Sequence, residues 1–79
     1  GPWGKVVALD EVEPGDIIQL RFPGKKLFSH CPVIVDTGMN TPDTILVSAH
    51  SDDSDNRPLS TYHYIDLRPV HIYNVSHFS

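Results

Sequence analysis

The stretch His30-Cys31-Pro32-Val33-Ile34-Val35-Asp36-Thr37-Gly38-Met39-Asn40-Thr41-Pro42-Asp43-Thr44-Ile45-Leu46-Val47-Ser48-Ala49-His50 decides the fold. Its two ends are apolar and rich in β-branched residues, the composition of strands. Its middle, residues 37–43, is dense in Gly, Asn, Pro and Asp, the composition of a turn. The pattern predicts an antiparallel hairpin of His30–Asp36 and Thr44–His50 with the turn centred near Asn40. In a blunt register residue 36 faces 44, Pro32 faces Ser48, and His30 faces His50. Opposed Cβ atoms lie roughly 4.5–5.5 Å apart, so this register brings two imidazoles side by side at the open end of the hairpin. One-residue slippage would move one of them to the other face.

Outward from the hairpin, Glu13-Pro14-Gly15-Asp16 is a turn, with proline presetting φ and glycine taking the positive φ. A strand follows at Ile17–Phe22. Ile18, Leu20 and Phe22 share its buried face, with Gln19 and Arg21 opposite. Pro23-Gly24 makes another turn, and residues 25–29 lead into the hairpin. After it, residues 51–58 are polar and turn-rich. Residues 59–64 suit a short helical turn or an irregular stretch covering one end of the barrel. Val70–Val75 is β-branched and aromatic and reads as a further strand, and Val6–Leu9 as an edge segment. No stretch keeps a helical period over three turns. The expectation is one mainly-β unit over residues 3–79, a small antiparallel sheet curled into a partly closed, SH3-like barrel.

A chain of 79 residues holds one small domain at most. The net charge of −4, with Lys25-Lys26 as the one basic cluster, argues against nucleic-acid binding. No apolar run is long enough to span a membrane and no signal peptide is visible. Gly1-Pro2 reads as a remnant of tag removal, so the natural start is expected upstream.

His30 and His50 are the candidate catalytic pair, a base and the group that orients it. Ser48, two residues before His50, is a further candidate for donating to an imidazole or a substrate carbonyl. Cys31 adjoins His30, but neighbouring strand residues point to opposite faces. It shares parity with Val33 and Val35 and is expected in the core, as a small hydrophobe. Asp52, Asp53 and Asp55 lack the glycine and the terminal glutamate of an EF-hand loop. The five histidines show no zinc spacing. No cofactor or metal is therefore expected, and His63, His71 and His77 read as surface or cap residues. Two non-catalytic readings compete. In one, Tyr62, Tyr64 and Tyr73 line the groove of a peptide- or glycan-binding module. In the other, an exposed apolar sheet face drives self-association or docks another segment.

Four segments in order carry a resemblance: Gly15-Asp16-Ile17-Ile18-Gln19, Ser29-His30 before a β-branched strand, Val47-Ser48-Ala49-His50-Ser51, and Pro58-Leu59-Ser60. The set resembles the C-terminal part of the putative amidase domain family, papain-like cysteine hydrolases related to the CHAP and NlpC-type peptidoglycan hydrolases. The resemblance implies the β half of a papain-like α+β fold. It also implies hydrolysis of amide or peptide bonds, with an extracellular or cell-wall setting. His30 is then the base and His50 the orienter, with Ser48 as the substitute. The family's N-terminal helix with its nucleophilic cysteine has no counterpart here, and Cys31 does not stand in for it. By that resemblance these 79 residues alone are expected to be inactive.

Overall fold

The computed structural model describes residues 4–49 and 56–73. They form one six-stranded antiparallel sheet: β1 Gly4–Val6, β2 Ile17–Arg21, β3 Val33–Asp36, β4 Leu46–Ser48, β5 Arg57–Pro58 and β6 Asp66–Ile72. The spatial order is β1-β6-β2-β3-β4-β5. The sheet curls but stays open, because β1 and β5 at its edges do not pair with each other. The partly closed barrel expected from the sequence is therefore corrected to an open sheet. Its edges hold only three and two residues, and short edges limit pairing with other chains. Two 3-10 turns, Leu9–Glu11 and Leu59–Thr61, are the helical elements among the described residues. The second falls where the sequence allows a helical turn or an irregular stretch.

Alternation along β2 sets the two faces. Ile18 and Leu20 are fully buried and Phe22 packs against them, as their spacing predicts. Val12, Ile34, Ile45, Val47 and Leu59 complete the core on that face. On the other face Arg68 Nε donates to Gln19 Oε1 at 2.6 Å, and Arg21 meets Asp66 at 3.6 Å, both across the β2–β6 ladder.

The hairpin departs from the blunt register. Val33 pairs with Ser48, Ile34 with Val47 and, past a bulge at Val35, Asp36 with Leu46. Ser48 thus faces Val33 and not Pro32. The cause lies in the connection, which uses Thr44 as a loop residue. Thr44 Oγ1 accepts from the Met39 and Thr41 N–H groups, and Ile45 N–H donates to Thr41 O. Gly38 sits at φ +53°, where a Cβ would come within 2.6 Å of Thr44 O. The turn can close this tightly only without a side chain there.

The core parity of the β3 segment is the reverse of the sequence expectation. Pro32 and Ile34 are fully buried, whereas Val33 is 41% exposed and Cys31 is exposed. Pairing imposes this, since Ile17 opposes Val33 and Ile17 lies on the face opposite Ile18. Val33-Ile34-Val35 is apolar at every position, so its own pattern carries no parity.

The last strand begins earlier than its sequence suggests, at Asp66, and includes Pro69 in mid-strand. Pro69 O accepts from Val7 N–H at 3.1 Å. In an antiparallel strand a residue's nitrogen and oxygen point to the same side. The missing donor therefore faces the end of β1 and leaves the β2–β6 ladder whole. No helix among the described residues is long and apolar enough to cross a membrane.

Candidate functional site

His30 leads into β3 and is tied to β2. Leu20 N–H donates to His30 O at 2.7 Å and Ser29 N–H donates to Leu20 O at 3.0 Å. Its side chain shares the parity of Pro32 and Ile34, so it lies over the edge of the core and is half-buried. The imidazole sits between two rings, Phe22 at 6.0 Å and Tyr62 at 5.3 Å between centroids. Arg57 closes the stack, with its guanidinium 4.0 Å from the Tyr62 centroid. Arg57 is itself held by Thr61, through Nε to Oγ1 at 2.7 Å and a terminal nitrogen to the carbonyl at 2.8 Å. The chain Arg57–Tyr62–His30–Phe22 fixes the plane of the imidazole by ring contacts, which are worth about 0.5–1.5 kcal/mol each. Neither ring nitrogen of His30 has a hydrogen-bond partner among the described residues.

His50, the expected orienter, lies outside the described residues, as do the acidic loop residues Asp52, Asp53 and Asp55, and His77. Ser48 is buried. Opposite Val33, it belongs to the face away from the His30 ring, and no hydrogen bond joins the two. Cys31 is exposed, contrary to expectation, and its parity turns it away from the His30 imidazole.

A second histidine is more firmly built than the sequence suggests. His71 in β6 is not a plain surface residue. Its Nδ1 lies 3.1 Å from both carboxylate oxygens of Asp16. Asp16 is almost wholly buried and also accepts from Glu13 N–H at 2.9 Å and Ile72 N–H at 3.1 Å. One carboxylate thus closes the Glu13–Asp16 turn and fastens it to the end of β6. The signal was present in the sequence: Asp16 shares parity with Ile18 and Leu20, and a carboxylate on the core face requires partners. Beside this pair lies a cavity of about 450 Å³ lined by Glu13, Pro14, Gly15, Asp16, His71, Ile72 and Tyr73.

The tyrosines do not form one groove. Tyr62 lies tilted against His30, Tyr64 packs against the core, and Tyr73 meets the His71 ring edge-on at 6.5 Å. Burial, and then the nearby Asp43 carboxylate, push the Tyr64 phenol above its ordinary pKa. Among the described residues no group of three or more His, Cys, Asp or Glu side chains is placed to hold a metal ion.

No curated protein and no solved structure matches the chain. A family model described as a putative amidase domain matches residues 3–73, which is nearly the whole sequence and takes in β1 through β6 with His30 and His71. The chain belongs to the putative amidase domain family.

Proposed function

We propose that this chain is the sheet part of a papain-like cysteine amidase or peptidase domain in which His30 is the acid–base residue. The family match over residues 3–73 carries the reading. The setting of His30 supports it: a half-buried imidazole, gripped by Phe22 and Tyr62, with both nitrogens uncommitted among the described residues. His30 takes the proton of a cysteine thiol supplied from outside these 79 residues as the sulfur attacks the amide carbonyl carbon. The carbon–nitrogen bond breaks as the imidazolium passes that proton to the departing amine, leaving a thioester. A water deprotonated by the same imidazole then cleaves the thioester, releasing the carboxylic acid and restoring the thiol. His50 is the group that holds the tautomer. Ser48 is the weaker choice, since its register sets it on the other face. Cell-wall peptides are the substrate class that the family analogy favours, a warrant weaker than site chemistry.

The test uses the full-length natural protein, whose intact mass is measured first. The expected result is a mass above that of this chain, with turnover of a peptide amide that iodoacetamide stops and Cys31→Ser leaves intact. Turnover indifferent to iodoacetamide, loss of turnover in Cys31→Ser, or a full-length protein with no hydrolase activity would contradict the proposal.

A further inference from the structure

We infer that the cavity between the Glu13–Asp16 turn and the end of β6 is a binding site for a primary ammonium group carried on a short apolar chain. It is separate from the His30 region. His30 bridges to Leu20, four residues along β2 from Asp16, which places the two sites roughly 13 Å apart.

The chemistry follows from the Asp16–His71 pair. Asp16 offers only acceptors to Nδ1 of His71, at 3.1 Å, so that nitrogen carries the hydrogen. In the neutral imidazole Nε2 is then an acceptor, and among the described residues it has no partner. His71 lines the cavity, and its ring is held in place by a carboxylate that is itself fixed by two backbone N–H groups. Asp16 is fully used in this task and acts as the orienting residue, with His71 as the recognising one.

The remaining walls suit a cation. Glu13, an acidic residue, and Tyr73, whose ring stands edge-on to His71, are among the walls, and among the described residues no Lys or Arg lines the space. Cations are attracted to aromatic faces, and the net charge of −4 favours them at long range. Pro14 and Ile72 supply apolar wall for the attached chain. The volume of about 450 Å³ lies within the usual range for small-molecule sites. A compact ammonium, with three donors and no acceptor, matches one imidazole acceptor, one carboxylate and one ring. A divalent metal fits less well, since no group of three or more ligating side chains converges among the described residues.

The probe is n-butylammonium, titrated into the full-length protein and followed by backbone amide and His71 ring resonances, with 1-butanol and butyrate as size-matched controls. Saturable shifts at Gly15, Ile72 and His71 with butylammonium, absent with both controls, are expected. Glu13→Gln and Tyr73→Leu change exposed side chains and keep the Asp16 bonds. Each is expected to weaken binding roughly fivefold or more, as loss of a charge-assisted contact does. His30→Phe is expected to bind as the parent does. Shifts that do not saturate, an equal response to butanol or butyrate, or undiminished binding in Glu13→Gln would overturn the assignment.

Discussion

Asp16 ties together two distant parts of the described fold. Its carboxylate takes the Glu13 and Ile72 N–H groups and His71 Nδ1, joining the first turn to the last strand across 55 residues of sequence. Replacing it with alanine leaves two backbone donors and an imidazole without their acceptor in a nearly closed environment. Each unsatisfied buried group costs about 1–3 kcal/mol. Asp16→Ala is therefore expected to lose about 2–4 kcal/mol, a large part of the stability of a domain this small. Urea unfolding checks this: the midpoint falls while the slope is unchanged. A loss below about 0.5 kcal/mol would mean that water replaces the carboxylate without penalty and that the clasp is incidental.

At the scale of elements, the revised parity of β3 makes a paired prediction. Ile34 is fully buried among Ile18, Val47 and Ile45, so Ile34→Ala is expected to cost about 2–5 kcal/mol by thermal or urea unfolding. Cys31→Ser is expected to stay within about 0.5 kcal/mol, because the thiol is exposed. The opposite ranking would restore Cys31 to the core. Two strands explain why one parity was legible and the other was not. β2 alternates Ile18, Leu20 and Phe22 with Gln19 and Arg21, so its faces are written in its residue types. Val33-Ile34-Val35 is apolar throughout, and its faces are set by pairing with Ile17, a long-range fact. The register error has the same origin. Thr44 looks like a strand residue, yet its hydroxyl accepts the Met39 and Thr41 N–H groups and holds it in the turn. β5 is a two-residue edge with no pattern to read, and Pro69 obscured the start of β6. Of the site, His30 was legible from its place before an apolar strand. Asp16's need of a partner was legible from its parity with Ile18 and Leu20, but His71 as that partner was not, because the two residues meet only when β6 lies beside β2.

For the whole molecule, the core gathers residues from Val12 to Leu59, and the response of the fold to alkali should report on Tyr64. Burial and the Asp43 carboxylate raise the Tyr64 pKa in the fold, whereas the unfolded chain releases that proton near the ordinary value of about 10. Below about pH 10 both states hold the proton and the full stability is present. Above it the unfolded state loses its proton first, so stability falls as pH climbs toward the folded pKa. Tyr64→Phe is expected to flatten that decline in a pH series of melting temperatures, and an unchanged slope would assign the decline to other groups. The account of function is also a statement about the whole domain, since His30 is placed by β2, by the Arg57–Tyr62 stack and by the core beneath it. The most direct test is peptide-amide turnover by the full-length protein carrying His30→Phe, which keeps an aromatic ring between Phe22 and Tyr62 but removes both nitrogens, beside His30→Ala. The account predicts that both lose turnover, by a factor of about 10² or more, while His30→Phe keeps the melting temperature of the parent. Turnover at the parental rate in the folded His30→Phe protein would contradict it and remove His30 as the base.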